Sequence, residues 1–103
     1  MTQRSAFVLR IRPGRVDDYV EAHRSVWPEM LDALRRAGIR NYSIFRAGNE
    51  VFGYFEADDL AAAETYLAQQ DVCTRWQDEM AEFLEDRVPD AGPPQLEEVF
   101  RLD

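Results

Sequence analysis

Cysteine and histidine each occur only once in this chain of 103 residues, as Cys73 and His23. A single cysteine excludes an intrachain disulfide and a multi-cysteine metal site. One histidine without a paired ligand motif also argues against a catalytic zinc site. The chain has no glycine-rich phosphate loop and no dinucleotide fingerprint. We therefore expect no metal and no organic cofactor, which leaves cofactor-free acid–base chemistry or binding alone.

Basic residues and long apolar runs are also scarce. The formal net charge is −8, and none of the 12 basic residues forms a run. Nucleic acids and membrane surfaces are both bound through clustered basic side chains. No apolar stretch approaches the roughly 20 residues of a membrane-spanning helix, and the N-terminus lacks a signal-like segment. We expect a cytoplasmic protein with neither nucleic-acid nor membrane partners.

Alternating and helical hydropathy patterns divide the chain into strands and helices. A helical pattern runs from Val16 to a C-terminal cap at Gly38, and Pro28 interrupts it, which predicts a kink or break between Val26 and Glu29. Two further helices follow, the first capped by Asp58-Asp59 and the second by Asp71. Residues 86–95, rich in Pro, Asp and Gly, are predicted to form a loop. Alternation predicts four strands, the middle two joined as a hairpin: residues 5–11, 39–46, 51–56 and 96–101.

The resulting order, β-α-β-β-α(α)-β, is the split βαβ arrangement of ferredoxin-like folds. It predicts an α+β sandwich formed by a single domain, residues 1–103, with a four-stranded antiparallel sheet and helices on one face. Yet on the third predicted strand Phe52 and Tyr54 lie on one face and Val51 and Phe55 on the other, so both faces of the sheet carry apolar groups. An exposed apolar face usually marks an interface with a partner. We therefore predict a homodimer of the dimeric α/β-barrel type.

His23 is the first candidate for catalysis. Tyr19, His23 and Trp27 recur at every fourth position, so on a helix they form one stripe. A neutral imidazole can both give and take a proton near neutral pH. The alternative is a packed core histidine whose ring nitrogens bond to the backbone. Tyr42, on the neighbouring strand, adds a phenol that faces either the helices or a partner.

Four blocks of the chain resemble the L-rhamnose mutarotase (rhamnose 1-epimerase) family. They are HRSVWPEM at 23–30, Asn41-Tyr42, DVCTRW at 71–76 and LEEVF at 96–100, in the family's order and over nearly the whole chain. The resemblance implies a cofactor-free, homodimeric, ferredoxin-like isomerase that interconverts the α and β anomers of L-rhamnose or a related deoxysugar.

Carried over by position, the family's roles make His23 the proton donor and Tyr19, Tyr42 and Trp76 the substrate-binding residues. From its spacing to Val72 and Met80 alone, Trp76 is predicted to be core. The chain departs from the family pattern at Gln77, where a second tryptophan is common, and at Ser25, where proline is common. The change at Gln77 removes an aromatic wall and so bears on which sugar is bound.

Two other functions are compatible with this architecture. One is a dimeric ferredoxin-like enzyme of another class, such as a monooxygenase, lactone isomerase or cyclase, which would need a deep apolar cavity for a planar substrate. The other is a non-catalytic ligand-binding module that has kept the fold.

Overall fold

The computed structural model describes residues 1–103 and has three strands and four helices. In chain order they are β1 (Gln3–Arg10), α1 (Val16–Arg24), α2 (Pro28–Arg36), β2 (Arg40–Ala47), β3 (Glu50–Ala57), α3 (Leu60–Ala68) and α4 (Asp71–Met80). Both strand pairs are antiparallel, in the order β1-β3-β2. The predicted α+β class and the hairpin formed by β2 and β3 are confirmed. None of the helices combines the length and apolar character needed to cross a membrane.

The break predicted at Pro28 is present. Helix α1 ends at Arg24, and Pro28 is the first residue of α2, where its missing N–H is not needed by the helix. Gly38 ends α2 with a φ of 89°, a conformation that glycine adopts without steric cost. Its N–H donates to the Arg35 carbonyl at 3.0 Å, and the Ile39 N–H donates to the Leu34 carbonyl at 3.0 Å. This pair of bonds is a Schellman motif, which turns the chain directly into β2.

The sheet is covered by helices on one face only. Along β1, Phe7 is 2% exposed and the following residue, Val8, is 37% exposed. On β3, Val51 is buried and Phe52 is exposed in the same alternation. Fifteen of the buried residues form one hydrophobic core between the sheet and the four helices. On the open face, Val8 pairs with Phe52 and Phe52 with Phe45, which forms an exposed apolar row across all three strands.

Two predicted helix caps have different outcomes. Asp59 caps α3 as predicted, because its carboxylate accepts the N–H of Ala62 at 3.0 Å. The prediction that Asp71 caps α4 is wrong: the cap position is Gln70, and Asp71 is already helical. The Asp71 carboxylate instead accepts from Arg75 Nε at 2.8 Å, one turn along the helix. Residues at this spacing are neighbours on a helix surface, so the pair forms within α4.

The predicted fourth strand is absent from the sheet. Residues 96–101 form neither helix nor strand, although the Leu96 N–H donates to the Ala6 carbonyl at 2.8 Å and Arg4 pairs with Glu98 at 2.6 Å. These contacts place the segment beside the free edge of β1. Beyond them Val99 and Phe100 are 85% and 78% exposed. With no surface of this chain on which to bury its alternating apolar side chains, the segment does not extend the ladder. The sheet therefore has three strands.

Candidate functional site

A cavity of about 390 Å³ lies between the covered sheet face and the helices. Most of its lining residues are hydrophobic, and few polar side chains reach it, which is the usual composition of a small-molecule site. Its polar and aromatic lining comes from seven side chains: His23, Tyr42, Phe55, Glu64, Trp76, Gln77 and Asp90. Three of the four predicted site residues are thus brought together. The fourth, Tyr19, does not line this cavity but shares a neighbouring depression with His23.

His23 occupies the last turn of α1 and is packed between two aromatic rings. The Tyr19 ring lies 4.3 Å from the imidazole centroid at an angle of 33°, and the Trp76 ring lies 5.5 Å away, nearly perpendicular. The stripe predicted from the sequence is therefore formed in part by direct ring contacts. Its third member, Trp27, packs edge-on against Trp76 at 5.1 Å and does not line the cavity.

The backbone of α1 fixes the tautomer of His23. Its Nδ1 lies 2.9 Å from the carbonyl oxygen of Tyr19, four residues earlier. A carbonyl oxygen only accepts hydrogen bonds, so Nδ1 must carry the proton. In the neutral ring, the lone pair is then on Nε2. The structure gives Nε2 no protein partner.

Burial lowers the pKa of His23 from its ordinary value of 6.5, and the hydrogen bond from Nδ1 to the Tyr19 carbonyl opposes this shift without cancelling it. The imidazole is therefore neutral at pH 7, with a basic Nε2. Burial has the opposite effect on the phenols, because in each case it disfavours the charged form. It raises the pKa of Tyr19 to about 12. Partial loss of water, and secondarily the charge that an ionised Tyr19 would carry, also raise the pKa of Tyr42, whose side chain is still 38% exposed. Of these three groups, only His23 exchanges a proton readily near pH 7.

Tyr42 lies next to an irregularity in β2. The pairing of β2 with β3 shifts register between Arg40 and Ser43, and Asn41 there has a φ of 52°. Asparagine tolerates this left-handed conformation better than most residues. Its Nδ2 donates to Glu56 Oε1 at 2.7 Å and fixes the irregular backbone. Tyr42 faces the helices together with Ile44, two residues later, and its ring packs against Phe55 at 5.2 Å.

Trp76 is both core and cavity wall. It is 7% exposed, as its spacing on α4 predicts, and it also lines the cavity beside His23. Cys73, one turn earlier on α4, is buried too, and burial raises the pKa of its thiol, so it is not a thiolate near pH 7. No group of three or more His, Cys, Asp or Glu side chains is placed to hold a metal ion.

Sequence reasoning missed one wall of the cavity. Residues 90–93 belong to the predicted loop, and they line the cavity as a strap. Asp90 anchors this strap: its Oδ1 accepts from Arg87 at 2.8 Å and its Oδ2 from Thr74 at 2.8 Å. These two bonds lower the pKa of Asp90, with that from Arg87 the larger cause. No periodic pattern in the sequence places such a loop against α4.

Comparison with known proteins identifies relatives over nearly the full chain. A family model described as L-rhamnose mutarotase matches residues 4–102. An L-rhamnose mutarotase of Pectobacterium carotovorum subsp. carotovorum is 39% identical over 97% of this chain and 98% of the relative. One from Listeria monocytogenes serotype 4b is 34% identical over the same shares. The crystal structure of an L-rhamnose mutarotase from Formosa agariphila superimposes with a TM-score of 0.77 at 31% identity, covering 98% of this chain and 99% of that one.

Proposed function

The chain belongs to the L-rhamnose mutarotase family of isomerases, and on that premise we propose that it interconverts the α and β anomers of L-rhamnose with His23 as the group that transfers the proton. The observation that carries the proposal is the neutral imidazole with a free Nε2 in the wall of an aromatic-lined cavity. The match over residues 4–102 favours this function over a monooxygenase, lactone isomerase, cyclase or non-catalytic module.

Anomer exchange moves a single proton between two oxygens bonded to the same carbon. In ring opening, the anomeric hydroxyl loses its proton, the bond between the anomeric carbon and the ring oxygen breaks, and the ring oxygen gains a proton. The open aldehyde rotates about its bond to the neighbouring carbon, and the reverse steps close the ring on its other face. No electrons are exchanged with any other molecule, so the reaction needs an acid–base group and correct positioning.

His23 supplies both halves of this transfer in the proposed mechanism. Nε2 of the neutral ring accepts the proton from the anomeric hydroxyl, and the resulting imidazolium donates it to the ring oxygen. The contact between Nδ1 and the Tyr19 carbonyl stabilises the imidazolium, since this hydrogen bond raises the His23 pKa. Tyr19 and Tyr42 are poor alternatives as bases, because their phenols have raised pKa values. His23 thus acts as a base before it acts as the family's proton donor.

Tyr42 and Trp76 are proposed to bind the sugar. Both line the cavity, where their rings offer apolar surface to the C–H groups of a pyranose and to the methyl group of a deoxysugar. Tyr19 does not line that cavity, so we propose that it acts through His23, by stacking on the imidazole and accepting from Nδ1.

We also propose that the protein acts as a homodimer. The support is the apolar row of Val8, Phe45 and Phe52, exposed by 37%, 67% and 42% on the sheet face that no helix covers. The exposed apolar side chains of the C-terminal segment add to it. Burial against a second copy would remove this surface from water. The cytoplasmic location stays a prediction.

The experiment that tests the function is saturation-transfer NMR of anomer exchange in L-rhamnose and L-fucose, with wild type, His23→Ala and the matched control Glu21→Ala. Glu21 is on the same helix and makes only an exposed ion pair with Arg24. We expect wild type and Glu21→Ala to accelerate exchange, and His23→Ala to lose about 10²–10⁴-fold of that acceleration. Exchange no faster than buffer with wild type would contradict the mutarotase function. Equal acceleration by wild type and His23→Ala would remove His23 from the mechanism.

A further inference from the structure

Glu64 is a cavity-lining residue to which the mechanism assigns no role. It lies on α3 next to Ala63, whose side chain enters the hydrophobic core. The Glu64 side chain is half-buried and lines the same cavity as His23, Tyr42 and Trp76. A carboxylate is one of the few polar groups in this mostly apolar wall, and such groups orient a ligand in a small-molecule site.

Only one oxygen of this carboxylate has a partner. Gln95 Nε2 donates to Glu64 Oε1 at 2.6 Å, and Glu64 makes no ion pair. The other oxygen, Oε2, has no hydrogen-bond partner in the chain, so this cavity-lining carboxylate keeps one acceptor for a ligand. The second carboxylate of the cavity differs, because both oxygens of Asp90 are occupied by Arg87 and Thr74.

From this geometry we infer that Glu64 is a specificity-determining residue that accepts a hydrogen bond from a hydroxyl group of the sugar, with Gln95 as its positioning residue. The inference rests on the proposed function. An ionised carboxylate only accepts, and a hydroxyl that donates to it makes a charge-assisted bond, stronger than one between neutral groups. Gln95 occupies Oε1 and so holds Oε2 in one orientation.

The charge of the lining also restricts the class of substrate. Two carboxylates, Glu64 and Asp90, line the cavity, and no arginine or lysine does. A phosphorylated sugar or a uronic acid would bring a further negative charge into a partly desolvated site with no cation to compensate it. The site therefore suits a neutral sugar with free hydroxyl groups.

The test measures kcat/KM for anomer exchange with L-rhamnose, with analogues that each lack one hydroxyl, and with galacturonic acid as an anionic probe. The variants are Glu64→Ala, the isosteric Glu64→Gln, Gln95→Ala and the control Thr65→Ala. Thr65 is exposed on the same helix, does not line the cavity and bonds only to the Ala61 carbonyl. For L-rhamnose we expect a loss of about 10-fold or more in Glu64→Ala, from the loss of one charge-assisted bond. We expect a smaller loss, mainly in KM, in Gln95→Ala and no change in Thr65→Ala.

The signature of the inference is non-additivity. With wild type, kcat/KM for the analogue that lacks the recognised hydroxyl should be lower than for L-rhamnose by about the factor that Glu64→Ala costs with L-rhamnose. With this analogue, Glu64→Ala should cause no further loss of kcat/KM. Galacturonic acid should not be accelerated by wild type. Three outcomes would overturn the inference: equal losses for every analogue in both Glu64 variants, no loss for any sugar, or acceleration of galacturonic acid. In each case, L-rhamnose exchange by wild type would still uphold the proposed function. Failure of wild type to accelerate any sugar would overturn both.

Discussion

Gly53 lies in the middle of β3 directly opposite Phe7 of β1, and Gly53→Ala is expected to destabilise the protein strongly. A Cβ built on Gly53 would overlap three atoms of the Phe7 ring, Cζ, Cε1 and Cε2. That ring is 2% exposed and packs against the rings of Tyr42 at 6.3 Å and Phe55 at 6.5 Å, so it can move away from the new methyl group only by displacing them. Overpacking a core costs about 1–3 kcal/mol, and overlap with three atoms of a rigid ring places this substitution at the upper end, about 3 kcal/mol. For a domain of this size, the melting temperature should fall by roughly 10–25 °C.

The assay is thermal and urea unfolding followed by circular dichroism, with Phe7→Leu and the double variant as controls. Phe7→Leu alone should destabilise the protein, because it removes buried apolar volume. In the double variant the smaller side chain makes room for the new methyl group, so the loss should be less than the sum of the two single losses by about 1 kcal/mol or more. A Gly53→Ala protein within about 0.5 kcal/mol of wild type, or additive losses, would refute this account of the Phe7 contact.

Two further predictions concern the site and the open sheet face. Burial lowers the His23 pKa below 6.5, and the neutral ring is the proposed base. The value of kcat/KM should therefore reach a plateau on the alkaline side and decline as acid protonates the imidazole, with a midpoint below 6.5. A pH–rate profile that falls with a midpoint above 6.5 would contradict this state of His23. Sedimentation equilibrium at micromolar concentration should give twice the chain mass of 12.0 kDa for wild type and for the helix-surface control Arg36→Glu. The variant Phe52→Glu puts a charge into the apolar row and should give a lower mass. A strictly monomeric wild type would remove the support for a homodimer.

The sequence predicted the elements whose boundaries depend on local backbone chemistry. Pro28 ends one helix and begins the next because it lacks an N–H, and Gly38 ends α2 because it adopts a positive φ without cost. Both effects act within one helical turn, so they are visible in the sequence. Asp71 shows the limit of this reasoning, because a residue that can cap a helix can also pair with Arg75 one turn later. The terminal segment shows a larger limit: alternation indicates a strand, but a strand forms only where an edge and a buried face are available to it.

The site was predictable to the extent that its residues share an element. The spacing of Tyr19 and His23 on one helix predicted the ring contact that the structure contains. Strand alternation placed Tyr42 on one face of β2 but left open whether that face looked toward the helices or toward a partner. The register shift at Asn41 accompanies its placement facing the helices. Glu64 was missed, because it reaches the cavity only after α3 has packed on the sheet and the strap has closed beside it, and neither contact leaves a periodic signal.

In the proposed mechanism, one group that titrates near neutral pH is enough for this reaction. The proton released by the anomeric hydroxyl is the proton that the ring oxygen needs, and both oxygens are bonded to one carbon, so a nitrogen within reach of the first is close to the second. Such a nitrogen must begin as a base, which requires a neutral ring with the lone pair on the cavity side. Burial lowers the pKa and makes the ring neutral, while the Tyr19 carbonyl holds the proton on Nδ1 and leaves the lone pair on Nε2. The carbonyl belongs to the backbone of α1, so the tautomer is set by the helix itself, and the side chains of the cavity are left to bind and orient the sugar.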